Sequence, residues 1–310
     1  MGVITVYRSD DASAPALTGE NGTLIAVLDA CLVDGYGAKS AAGWAKAFSN
    51  TNLAAYRAAA GNRFYLRVND SSAQYPILRG YRTMSAISTG TGAFPTEAQL
   101  SGGILPVKSS TTNSVERPWI LIASDRAFYL WVGFAVTDIA SPSTSTDITF
   151  FGDCPSYVPG DAMLTLLAGK AAASTTASHT NVANSLSNSS VATGHYLASD
   201  YLQSGNAVTC GIYRSPIADV ASAGSGGAAY PDPVTGGLLL DRLRIWESGP
   251  IVRGYMPGVF NPLHAQPATH LDTLQGRGSM TGTDLLLLYK GGTAGRLAFS
   301  LNEADWLAPV

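Results

Sequence analysis

The clearest periodicity in the chain lies near its start. In TLIAVLDACLVDGYG, the residues Leu24, Val27, Leu28, Cys31 and Leu32 recur at i, i+3, i+4, i+7 and i+8, one apolar stripe of a helix. Gly35 and Gly37 supply its stop. Ahead of it, VITVYRS (3–9) alternates and is rich in β-branched residues, which predicts a strand. Behind it, Ala-rich SAAGWAKAFS and TNLAAYRAAAG predict further helical segments, with Gly61 as the C-cap of the second.

The pattern then changes period. NRFYLRVND (62–70) places Phe64, Leu66 and Val68 on one face of a strand, and ILRGYRTM (77–84) is positioned to pair with it. Residues 85–113 hold four turn signals made of Gly with Thr or Gly (Thr89-Gly90, Gly90-Thr91, Thr91-Gly92 and Gly102-Gly103) and little periodicity, so they read as a long surface excursion. PWILIASD (118–125) and RAFYLWVGFAV (126–136) form a hairpin around Ser124-Asp125-Arg126, and DITFFGD (147–153) adds a third strand. A short helix is expected over 161–168, with Asp161 as its N-cap. AVTCGIYRSP (207–216) and GGLLLDRLRIWES (236–248) read as strands, and 251–267, with three prolines, as irregular but ordered chain. LLLLYKG (285–291) and GRLAFSLN (295–302) make a closing hairpin over Gly291-Gly292. The pattern Phe-Tyr-Leu-x-Val occurs at 64–68 and 128–132, read as two similar strands of one sheet.

These elements predict an α+β fold: a helical N-terminal portion packed on a mainly antiparallel sheet, followed by a β-rich C-terminal half. The divisions are 1–170 as an α+β domain, 171–199 as a polar uncharged connecting or contact segment, and 200–310 as a β-rich domain.

Composition sharpens that picture. Residues 171–199 contain no Asp, Glu, Lys or Arg, and the whole chain is only 13% charged against 46% hydrophobic. Polar uncharged surface of this kind suits a protein whose neighbours in an assembly cover it. Of the 19 basic residues 14 are Arg, the cation favoured at interfaces. With a net charge of −3 and no run of clustered Lys/Arg, a general nucleic-acid binder is not expected. Cys31, Cys154 and Cys210 are far apart and form no CxxC, so they read as reduced, buried thiols. The first residues lack a signal-peptide pattern, and no apolar run approaches the ~20 residues of a membrane helix. A soluble protein made in a reducing cytoplasm is expected.

No constellation reaches the threshold of a catalytic motif. His264 and His270 lie six apart near Asp272, but Pro267 intervenes and no third ligand follows, so they read as loop histidines. Asp153 and Asp161 flank CPSYVPG, too few oxygens for a calcium loop; as an acid/base pair they have no supporting partner. Cys154 has no histidine signature beside it. GSGG (224–227) and Gly90-Thr91-Gly92 lack the strand–loop–helix context of phosphate-binding loops, and there is no GxSxG. No enzyme activity, cofactor or metal is therefore expected. The better binding candidates are aromatic: Tyr196, Tyr201, Tyr230 and Tyr255 sit in or beside polar, Gly-rich loops, where exposed rings make contacts and buried ones anchor.

The opening VYRSDDASAPALTGENGTLIAVLDACLVDGYGAKSAAGWAKAF resembles the start of a family of tailed-bacteriophage virion proteins. The resemblance continues through FYLRVND, RPWILIASDRAFYLWV, FFGDCPSYVPGDA and GYMPGVFNPLH, covering most of the chain except 171–199. Its most specific blocks are GYG…AAGW and FFGD-x-PSY-x-PGD. The resemblance implies a structural component of the virion, in the tail or baseplate, with other virion proteins and copies of itself as partners. It brings no catalytic residues. The alternatives are a receptor- or glycan-binding protein of the tail tip or fibre, and a capsid decoration protein. Neither nucleic acid nor membrane insertion enters any of these readings.

Overall fold

Alternation of side chains between two faces, not helical periodicity, organises this chain. The computed structural model describes residues 3–141, 145–171, 194–213, 231–234, 236–247, 251–263, 269–276, 280–289 and 296–307. Among them, seventeen strands form two antiparallel sheets. The smaller sheet runs in chain order, β2 (Ala45–Asn50), β3 (Leu53–Arg57), β4 (Tyr65–Asn69), β5 (Ile77–Ala86) and β6 (Thr89–Phe94). The larger begins with β1 (Thr5–Arg8), followed by β7 (Trp119–Ala123), β8 (Ala127–Gly133), β9 (Thr146–Asp153), β10 (Thr165–Ala168) and β11 (His195–Leu197). It continues through β12 (Val208–Tyr213), β13 (Leu240–Glu247), β14 (Ile251–Pro262), β17 (Arg296–Ser300), β16 (Asp284–Tyr289) and β15 (Thr273–Gln275). The end of the 171–199 segment is itself a strand, β11, which pairs with β10 before it and β12 after it, so strands from both sides of the segment belong to one sheet.

The α+β expectation is corrected to a nearly all-β fold. Helix α1 (Thr23–Leu28) passes into a π-helical turn, Asp29–Asp34, and buries the whole predicted stripe from Leu24 to Leu32. The only other described helix is the single turn α2 (Ala304–Leu307). The Ala-rich segments are strands β2 and β3, joined by a two-residue turn in which Asn52 takes φ 56°. Ala54 and Tyr56 of β3 join the first core and Ala55 is buried on the other face, and that burial within a sheet overrides alanine's preference for helix. The helix expected over 161–168 is also absent; β10 occupies its second half, between β9 and β11. The excursion at 85–113 contains β6, whose Phe94 is buried, and goes on to bury Ile104 and Val107. Residues 251–262 are one long strand, β14, whose pairing with β13 is interrupted by two register shifts. Gly291-Gly292 lies outside the described residues, although β16 and β17 pair as expected.

Two cores explain the near-continuous apolar runs of β7 and β8. Trp119, Leu121 and Ala123 of β7, with Phe128, Leu130 and Val132 of β8, face the helix and the small sheet. Ile120, Ile122, Tyr129 and Trp131 face the opposite way, toward strands from the far end of their own sheet. The large sheet therefore folds back on itself. Tyr129 packs edge-on to Phe299 (5.0 Å) and Trp306 (5.5 Å), and its hydroxyl donates to the Pro257 carbonyl at 2.7 Å. A strand buried on both faces has no polar alternation left to show. The repeated Phe-Tyr-Leu-x-Val pattern is correspondingly split: 64–68 lies mostly in the small sheet and 128–132 in the large one.

A buried ion pair fixes the start of α1. Asp70 accepts the Leu24 backbone N–H at 2.8 Å, and Lys108, itself buried, donates to Asp70 and to the Glu20 carbonyl. Burial raises the carboxyl's pKa and lowers the ammonium's, while their mutual contact opposes both shifts.

Candidate functional site

Two blocks far apart in sequence, 153–163 and 247–256, meet at the edge of the second core. Pro155 and Ser156 run beside β14: the Tyr255 N–H donates to the Pro155 carbonyl at 3.1 Å, and the Tyr157 N–H to the Arg253 carbonyl at 2.8 Å. Gly254 permits this approach, because a β-carbon there would lie 2.2 Å from the Pro155 oxygen. Arg253 is fully buried at the centre. Its Nε and Nη2 donate to both oxygens of Asp161 at 2.9 and 3.0 Å, a bidentate pair. Its Nη1 donates to Glu247 at 2.6 Å and to the Ser199 carbonyl.

Every charge in this cluster is matched by geometry. Asp161 also accepts from the Ser156 hydroxyl at 2.7 Å and the Met163 N–H at 2.9 Å. Burial disfavours its ionised form, but these donors and the Arg253 guanidinium outweigh it, so its pKa falls below the ordinary carboxylate value. Burial likewise opposes the Arg253 charge, and the contacts with Asp161 and Glu247 raise its pKa in spite of it. Asp161 is thus an ion-pair partner instead of the predicted helix cap.

The cluster carries an exposed rim. Glu247 accepts the Tyr201 N–H at 3.0 Å, which ties the 199–206 loop to Arg253. That loop is internally bonded: Asp200 accepts from the Ser204 N–H (2.9 Å) and hydroxyl (2.7 Å), and Ser199 from the Gly205 N–H (2.8 Å). It presents Leu202 at 70% exposure and Tyr201 at 38%, while Tyr157, bonded through its N–H to the Arg253 carbonyl, is 40% exposed. Tyr157 leans on buried Tyr255, ring centroids 5.7 Å apart. The result is an apolar, aromatic rim on a rigid support.

Of the three described tyrosines singled out by sequence, only Tyr201 faces outward. Tyr196 and Tyr255 are buried, so their rings anchor and make no outside contact; Tyr230 lies outside the described residues. Sequence reasoning passed over Tyr157, Leu202 and Arg253. The PSYVPGD block held a signal for Tyr157 alone, since its turn residues bring Ser156, Tyr157 and Asp161 together.

The remaining candidates resolve into structural roles. Asp153 accepts from the Asn62 N–H and the Thr165 hydroxyl, both at 2.6 Å, and burial raises its pKa to about 6. It lines a small cleft with Arg126, Cys154, Pro257 and Trp306, but no second carboxylate joins it, since Asp161 is committed to Arg253. Burial holds the Cys31, Cys154 and Cys210 thiols protonated by pushing their pKa values up, which leaves Cys154 without nucleophilic character. His270 is buried against Trp131, its Nδ1 accepting the Tyr289 N–H at 2.9 Å, and burial lowers its pKa to about 4. Asp272 accepts from Thr269 in a turn, and His264 lies outside the described residues. Gly90, Thr91 and Gly92 are part of β6, and 224–227 is outside the described residues. No group of three His, Cys, Asp or Glu side chains among the described residues could hold a metal. No described helix is long and apolar enough to cross a membrane. The chain matches no protein-family model and no curated protein.

Proposed function

We propose that this chain is a non-catalytic structural component of a tailed-phage particle, present in several copies in the tail or baseplate. The observation that carries the contact part of this reading is the Tyr157–Tyr201–Leu202 rim. A large apolar side chain at 70% exposure on a tightly bonded loop loses little conformational entropy when a neighbour covers it. Aromatic rings beside it add contact area of the kind enriched at interface cores. The link to a virion comes from the sequence resemblance, whose FFGDCPSYVPGDA and GYMPGVFNPLH blocks build the rim's support. On this reading the chain is made in the host cytoplasm, and its partners are copies of itself and other virion proteins.

Quantitative mass spectrometry of purified particles from the phage encoding the chain tests the proposal. The chain is expected at several copies per particle. Its absence from particles, or detection only in the infected-cell lysate, would contradict it.

A further inference from the structure

The small sheet turns one face to the first core, and its other face is chemically unlike the rest of the surface. Cross-strand register places Arg57, Tyr65 and Tyr81 in one row, with Arg67 and Arg79 in the next. Phe48 stacks on Tyr65 at 6.3 Å, and the Arg57 guanidinium lies 5.1 Å from the centre of the same ring. Arg67 and Arg79 stand directly opposite each other, a like-charge pairing that weakens a sheet unless something neutralises it.

Arg79 is neutralised. It pairs with Glu97 and donates to the carbonyls of Leu100 (2.9 Å) and Ser101 (2.8 Å). Arg57 and Arg67 are not. Each uses only its Nε, Arg57 toward the Arg63 carbonyl at 3.1 Å and Arg67 toward the Ile87 carbonyl at 2.9 Å. Among the described residues no carboxylate meets either guanidinium. From Leu53 to Phe94 the chain holds five arginines and a single acid, Asp70, which is buried against Lys108. Of these five, Arg82 alternates to the opposite face and Arg63 lies in the β3–β4 turn, so in a protein of net charge −3 this face keeps two guanidiniums, Arg57 and Arg67, with no carboxylate partner among the described residues.

We infer that this face binds an acidic polysaccharide, one that carries carboxylates along a chain of sugar rings. Guanidinium forks match carboxylates two bonds at a time. The Tyr65 ring is taken up by Phe48 and Arg57, and Tyr81, next to it in the same row, offers an amphipathic ring on which a sugar ring can pack. Arg57 and Arg67 are diagonal neighbours on adjacent strands, about 7–8 Å apart, so one polymer can engage both. A nucleic acid fits less well. Its binding grows with the number of phosphates neutralised, and this face has two unpaired guanidiniums within an acidic protein. The inference stands on the small sheet alone and does not depend on the assembly rim.

The test is a titration of the full chain with alginate and with hyaluronate oligosaccharides, with dextran as neutral control and oligo-dT as the nucleic-acid arm. Saturable binding to a carboxylated glycan, weakened by added salt, is expected, with little or none to dextran. The double variant Arg57→Gln/Arg67→Gln should weaken it at least tenfold while leaving the melting temperature in place; Leu202→Ser should leave binding unchanged. The inference is overturned by absence of binding to both acidic glycans, by equal binding to dextran, by an unaffected double variant, or by tighter binding to oligo-dT.

Discussion

Arg253 and the pair Arg57/Arg67 are the same kind of residue put to opposite uses. Arg253 is fully buried and saturated by two carboxylates and a carbonyl. Arg57 and Arg67 lie on a sheet face, each with one backbone acceptor and no carboxylate. A buried guanidinium must be paired, because the unpaired charge is costly away from water; a half-buried one at a sheet face, still reached by water, can remain without a carboxylate. The difference separates the two surfaces: an apolar rim supported by neutralised charge, and an aromatic face where charge is left open.

The comparison predicts its largest effect at the buried end. Arg253→Met leaves Asp161 and Glu247 buried without their cation, a loss of about 3–5 kcal/mol, measured by urea denaturation. Next, Gly254→Ala drives a methyl group to 2.2 Å from the Pro155 carbonyl, costing about 1–3 kcal/mol as the two blocks separate. A loss much smaller than this for either variant would mean that the rim's support does not rest on that contact.

A pH measurement sharpens the rule from the carboxylate side. Asp147 is buried, accepts the Val107 N–H at 2.6 Å, and has its pKa raised from 3.8 to about 6 by burial, which outweighs that bond and the opposing charge of Lys170. The folded state thus binds this proton more tightly than the unfolded state does. Its stabilising contribution is complete below pH 3.8 and is lost as pH rises through about 6. Asp153 acts in the same direction, and His270, whose pKa is lowered to about 4, in the opposite one. Wild type should therefore gain about 1 kcal/mol relative to Asp147→Asn between pH 7 and pH 5, read from paired urea titrations. An identical pH slope in the two proteins would contradict the assigned shift. The smallest effect belongs to the open face: Arg57→Gln and Arg67→Gln should each change stability by no more than about 0.5 kcal/mol, checked by thermal melts.

Local pattern was legible where one face of an element is buried or where a hairpin closes quickly. The α1 stripe, the β7–β8 hairpin and the β16–β17 pairing could all be read from the residues. The Ala-rich strands could not, because alanine's local preference is for helix and only packing in the sheet, against the first core, makes Ala54 and Tyr56 part of a strand. β14 was hidden by its glycines and prolines, which the register shifts of its pairing accommodate. Arg253 gave no signal because its bidentate partner is 92 residues away. The arginine face was equally silent. Its cations are separated along the chain, and only the register of β3, β4 and β5 brings them together.

The most direct test of the assembly reading is density for this chain inside the intact particle. The expected result is repeated copies in a tail or baseplate ring, with Tyr157, Tyr201 and Leu202 covered by a neighbouring protein. Copies whose rim faces open solvent at every position would contradict it.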